Sequence, residues 1–229
     1  MKANVIIAGA GKGIGLELTQ WFLKNECSVI AISRNITNLK PQVNLKTIKA
    51  DITEAEVIKN KVNSIISSQT KTDIHIYVYN AGLLINKPFL ELSSDDMLKM
   101  LTVNFLAACT TTQSLIPWLL EAKHAHVVFI GSMGGFQGSV RFKGLSVYSA
   151  TKSALTSISE SLAEEFKETN ICFNTLALGA VDTKMLQIAF PEYKAKTSPE
   201  SIASFIGSFA LEQFIHFNGK VIPVALNKL

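Results

Sequence analysis

The chain has 229 residues, 48% of them hydrophobic and 17% charged, with 22 Lys and Arg against 18 Asp and Glu for a net charge of +4. This length and apolar content bury one sizeable core and require no second domain. The mild, dispersed positive balance argues against nucleic acid as a partner, and without a run of about eighteen apolar residues nothing spans a membrane.

The amino end reaches Gly9 too early to hold the apolar core of a signal peptide. Cys27, Cys109 and Cys172 are odd in number and far apart, giving neither a disulfide framework nor a metal-ligand pairing. The expectation is a single cytoplasmic domain over 1–229, with no metal.

Short apolar runs alternate with stretches of helical period along the whole chain. Strands are predicted at 4–8, 28–33, 45–50, 74–79, 126–130, 171–177 and 220–225. Helices are predicted at 15–25, 54–67, 94–122 with Pro117 as a kink, 147–168 and 199–214. Continuous apolar strands joined by helices give a parallel, doubly wound sheet. The stretch 182–198 has no clean period and lies after a strand end, where such sheets line their ligand crevice.

The first strand runs into Gly9, Gly11, Gly13 and Gly15, with Lys12 and Ile14 between them, and opens a helix. The spacing is GxxxGxG, on Gly9, Gly13 and Gly15. Such a turn offers free N–H groups and the positive end of a helix dipole to a dinucleotide pyrophosphate. The second strand ends Ser33-Arg34 with no acid, and Lys12 adds a cation near the same ribose. A guanidinium suits a 2′-phosphate, so NADP(H) is the preferred cofactor while NAD(H) stays open.

Tyr148 and Lys152 stand one turn apart on a predicted helix, close enough for the ammonium to favour the phenolate. Asp51-Ile52 follows the third strand, Asn80-Ala81-Gly82 the fourth and Ser132 the fifth; Asn104 lies in the long helix, and Gly179, Val181 and Thr183 follow the sixth strand.

With the glycine turn, these motifs stand in the order found in the short-chain dehydrogenase/reductase family, which the chain resembles over essentially its whole length. The resemblance implies a three-layer, doubly wound Rossmann fold with a seven-stranded, mainly parallel sheet and a substrate loop at about 182–198. It implies Tyr148 as proton donor to a carbonyl oxygen, Lys152 as its electrostatic tuner, Ser132 as a hydroxyl donor and Asn104 as part of a proton relay through its backbone and a water. Asp51 and Ile52 would meet the adenine, Asn80, Ala81 and Gly82 would border the cofactor, and Gly179, Val181 and Thr183 would hold its nicotinamide end. Tyr148 and Lys152 would also touch the cofactor.

The expected activity is NADP(H)-linked carbonyl reduction or alcohol oxidation on a small substrate, in a homodimer or homotetramer assembled through the helices carrying Asn104 and Tyr148. A sensor of the same fold with little turnover is the alternative, since the enlarged loop before Tyr148 resembles that of members with signalling roles; a purely structural interaction protein is a third reading. Ser132 lies 16 residues before Tyr148, against a family spacing of about 13, so the loop must absorb roughly three extra residues and Ser139 is a second serine candidate. Phe136, Arg141 and Phe142 would border the substrate, with Phe190 and Tyr193 completing an apolar lid. Phe205, Ile206, Phe209, Phe214, Ile215 and Phe217 suit a second interface or the core. Ala8, Tyr79 and Leu178 depart from the residues usual in the family, Leu178 replacing a proline and thereby loosening the turn at Gly179.

Overall fold

A computed structural model describes residues 3–68 and 73–225. The expected span of 1–229 also takes in 1–2, 69–72 and 226–229, which lie outside the described residues.

Seven strands form one sheet: β1 Asn4–Ala8, β2 Ser28–Ser33, β3 Leu45–Lys49, β4 Ile76–Tyr79, β5 Ala125–Ser132, β6 Ile171–Leu178 and β7 Lys220–Val224. Their order is β3-β2-β1-β4-β5-β6-β7, and all six pairings between neighbours are parallel. Every residue of β1 and β4 is buried. This double-sided burial is why the central strands read as unbroken apolar runs.

The helices are α1 Gly13–Lys24, α2 Ala55–Ser67, α3 Ser94–Leu101, α4 Ala107–Leu120, α5 Ser146–Glu165, α6 Lys184–Ala189 and α7 Pro199–Glu212. Two apolar clusters sandwich the sheet. One joins Ile58 and Val62 of α2, Leu115 and Leu119 of α4 and Leu155 of α5 to Tyr77, Tyr79 and Phe129. The other joins Leu18 and Phe22 of α1 and Ile202, Ile206 and Phe209 of α7 to Val5, Ile7, Val78 and Val128. Ile206 and Phe209 are therefore core, whereas Phe205 and Ile215 remain exposed.

The chain crosses from β3 at one edge to β4 on the far side of β1. Successive connections thus diverge at the carboxyl ends of β1 and β4, which opens the crevice where ligands bind in such sheets. Gly9 and Asn80 sit at those two ends.

The segment expected as one helix from 94 to 122 is interrupted, though not at Pro117. A π-helical turn, Thr102–Leu106, separates α3 from α4, while the α-helix continues through Pro117. Gln113 and Pro117 are both exposed, so the carbonyl left without a donor by the proline faces water. Ser93 and Asp96 form a reciprocal capping box at the start of α3, and Ser198 caps α7 with Pro199 in its first turn.

Candidate active site

The glycine turn is folded hard against its neighbours. Gly9 has a φ of 83°, and a Cβ there would come within 2.7 Å of the Ala81 nitrogen. At Gly15 a Cβ would overlap the Gly9 carbonyl oxygen and approach the Asn80 side-chain nitrogen to 2.7 Å. The carbonyl of Ile32 accepts from the N–H groups of both Gly9 and Ala10, at 2.9 and 3.1 Å. Lys12, extended and exposed, precedes α1 without a side-chain cap. A Cβ-free cradle and an uncapped helix start fit a pyrophosphate.

Ala8 supplies no hydroxyl to tie the first strand to the Asn80 segment. Asn80 makes that tie itself: its N–H donates to the Ala8 carbonyl and its side-chain amide to the Gly9 carbonyl, both at 3.0 Å.

Arg34 follows the tip of β2 with 78% of its side chain exposed, its Nη1 3.7 Å from Asp51 Oδ2. Burial would raise the Asp51 carboxyl, but hydrogen bonds from Thr53 and the charge of Arg34 outweigh it and hold the group below the usual carboxylate range. Ser33 lies beside Gly11, whose position leaves no room for a Cβ. Ile52 is buried below this corner.

At the other side of the crevice, Ser132 is the last residue of β5. Its Oγ accepts from the Gly134 N–H at 3.1 Å and draws the Tyr148 phenol downward. Ser139 lies farther along the loop, where its N–H donates to the Phe136 carbonyl. The extra loop residues are taken up by a 3-10 turn at Met133–Gly135 and by positive φ at Gly138 and Gly144. Phe136 is half-buried, Arg141 donates to the Gly134 carbonyl, and Phe142 and Tyr193 are exposed.

Tyr148 and Lys152 occupy the first two turns of α5. Lys152 is 4% exposed, and its Nζ donates to the Ile130 carbonyl at 2.8 Å. Burial pushes this ammonium down to about 8. The Tyr148 phenol is moved upward by burial, only partly offset by Ser132. Helical spacing suggests the opposite direction, from the neighbouring ammonium. In the folded chain desolvation is the leading effect on both groups, Lys152 being buried and Tyr148 half-buried.

Asn104, in the π-turn, is fully buried. Its Oδ1 accepts from the Leu83 N–H at 2.7 Å, and its Nδ2 donates to the Leu83 carbonyl at 2.8 Å and to Thr151 Oγ1 at 3.0 Å. A Cβ on Gly82 would sit 3.6 Å from both Asn104 Oδ1 and Lys152 Nζ, so this glycine forms the floor between them. Sequence reading passed over Tyr79 as a mere departure. Its hydroxyl donates to the Val103 carbonyl at 2.5 Å, pinning the π-turn that presents Asn104.

The loop after β6 closes the set. Gly179 N–H donates to the Val224 carbonyl at 2.8 Å. Leu178 therefore continues the strand, and the turn is held by the sheet rather than loosened by the missing proline. Val181 bridges to Thr197, and Asp182 N–H donates to the Thr197 carbonyl at 2.9 Å. Thr183 caps α6 and faces Gly13, where a Cβ would lie 3.5 Å from its methyl group. Ser132 and Gly179 thus stand at the carboxyl ends of their strands, as the glycine turn does after β1, with Asn104 and Lys152 both beside Gly82.

The family model described as short chain dehydrogenase matches residues 3–194. The chain belongs to the short-chain dehydrogenase family. It is an oxidoreductase by that membership. Among its relatives, an uncharacterized oxidoreductase of Staphylococcus aureus (strain MW2) is 28% identical over 225 residues, covering 96% of this chain and 95% of the relative. Another, from Staphylococcus epidermidis, is 26% identical over 224 residues with the same coverage. The solved structure of ElxO with NADP bound superposes with a TM-score of 0.85 at 25% identity, covering 98% of each chain. The 3-ketoacyl-(acyl-carrier-protein) reductase of Brucella melitensis complexed with NADH reaches 0.87 at 20% identity over 97% of this chain and 96% of that one, which speaks for the shared fold. Among the described residues no helix is long and apolar enough to cross a membrane, and no cluster of His, Cys, Asp or Glu could hold a metal.

Proposed function

We propose that this family member is an NADP(H)-dependent carbonyl reductase or alcohol dehydrogenase for a small substrate. The observation that carries the reading is the placement of Ser132 at the end of β5 with Tyr148 in the first turn of α5 and the buried Lys152 one turn on, at the same carboxyl-end edge of the sheet as the glycine turn.

When bound, the dinucleotide supplies or accepts the hydride. Gly9, Gly13 and Gly15 would cradle its pyrophosphate, Lys12 and Arg34 its 2′-phosphate, and Gly179, Val181 and Thr183 its far end. Ser132 directs its hydroxyl to the substrate oxygen, where negative charge develops. Burial keeps the Tyr148 phenol protonated, the state a proton donor needs in the reductive direction. In the oxidative direction the Lys152 ammonium, when charged, favours the phenolate that takes the proton back. Asn104 holds the main chain at Leu83 and the hydroxyl of Thr151, next to Lys152, and so keeps the proton-handling wall in place. The exposed side chains of Leu98, Leu101 and Leu106 support assembly into a homodimer or homotetramer through this helix face.

NADP(H) preference rests on Arg34, with the NADP carried by ElxO as support. Fluorescence titration is expected to give tighter binding of NADPH than of NADH, with Arg34→Ala removing the difference. Equal affinity in the wild type would overturn the NADP assignment.

A further inference from the structure

Three loops meet on the substrate side of the rim, and one side chain joins them. Residues 83–87, following the Asn80-Ala81-Gly82 element, are all half-buried. Within them Asn86 donates from Nδ2 to the carbonyl of Ala189 at 2.7 Å. Ala189 is the last residue of α6, a helix of six residues. The final carbonyls of any helix lack an intrahelical donor, and in so short a helix they make up most of the total. The Phe190 N–H donates to the Leu186 carbonyl, and the Ala189 oxygen accepts from Asn86.

The other end of the Asn86 amide faces the loop before Tyr148. Gly144 has a φ of 83°, and a Cβ there would overlap Asn86 Oδ1. The neighbouring Lys87 N–H donates to the Gly144 carbonyl at 3.2 Å. Two residues beyond Gly144, α5 begins. Asn86 therefore stands between the segment that brings in Tyr148 and the helix that follows Thr183, holding one by close packing and the other by a hydrogen bond.

Resting on the oxidoreductase reading above, we propose that Asn86 is a positioning residue that anchors α6 as the outer wall of the substrate pocket and thereby sets affinity for the carbonyl substrate. It acts through α6 and the Gly144 loop. No contact with the reacting atoms is required of it.

Asn86→Asp tests this with almost no change of shape, because an ionised carboxylate cannot donate to the Ala189 carbonyl; Asn86→Ala provides a second variant should the first fail to fold. In the full-length protein, amide hydrogen exchange at residues 184–190 should accelerate about tenfold while β1 and β4 keep their protection. KM for a reduced carbonyl should rise about tenfold, with kcat and the NADPH dissociation constant within about twofold of wild type. Unchanged exchange at 184–190 in the variants overturns the anchor, as does a loss confined to kcat. If the wild type turns over no carbonyl, the oxidoreductase reading fails and the specificity role falls with it, a result distinguishable because the exchange measurement needs no substrate.

Discussion

Burial decides the chemistry of the individual site residues. A phenol and an ammonium one turn apart on an exposed helix would shift each other through charge. Here each is taken out of water, so the phenol rises and the ammonium falls to about 8. Ser132 opposes the rise, drawing the Tyr148 phenol downward. Ser132→Ala should lower turnover by about 10²–10³, the usual cost of a lost donor at a developing oxyanion. Ser139→Ala should stay within about twofold, because it lies in the loop beyond the end of β5, where its N–H donates to the Phe136 carbonyl; the reverse ranking in steady-state assays would move the serine role to Ser139. The identities of these residues were legible because each follows a strand end or stands at fixed helical spacing. Their protonation was not, since it depends on burial by segments distant in the chain. Asn86 was equally hidden, as both its partners lie more than fifty positions away.

At the level of elements, regular period was the readable signal and tertiary override the hidden one. The bounds of β1 and β2 coincide with the predicted 4–8 and 28–33, because their apolar runs are cut sharply by glycine and by Arg34. The π-turn at 102–106 leaves no mark in the period of the long helix. It is sustained by the Tyr79 hydroxyl on the Val103 carbonyl and by Asn104 on Leu83, contacts that come from outside the helix. Such turns recur at functional sites because they free main-chain groups and re-aim a side chain. Helix α6 escaped notice for a different reason: six residues are too few to display a period, and its ends are secured by the Thr183 cap and by Asn86. Pro117 drew attention that its wet surroundings make unnecessary.

At the scale of the whole molecule, the amino ends of β5 and β6 carry a buried polar knot far from the crevice. His126 is 1% exposed. The Ala210 carbonyl can only accept, so Nδ1 carries the proton at 3.0 Å from it, and Nε2 accepts from the Asn174 amide at 2.9 Å. Asn174 also donates to Phe217 and accepts from the Lys220 N–H, tying β7 to the sheet. Burial lowers His126 from 6.5 to about 4, against a smaller opposing effect of the Ala210 bond. The unfolded chain therefore binds the proton first as pH falls. The stability tied to neutral His126 is present above about pH 6.5 and is lost between 6.5 and 4, a total of about 3 kcal/mol. His126→Gln retains an amide donor and acceptor without titrating, so thermal unfolding should show a shallower fall in Tm across that window; identical slopes would assign the acid sensitivity to other groups.

The central claim is that Tyr148 is the proton donor in an NADPH-linked carbonyl reduction. Steady-state oxidation of NADPH with a panel of small ketones and aldehydes, measured for the wild type and Tyr148→Phe, tests it most directly. The account predicts turnover by the wild type and a loss of about 10²–10⁴ in kcat for the variant, with NADPH affinity retained within about twofold. Undiminished turnover by Tyr148→Phe would contradict it.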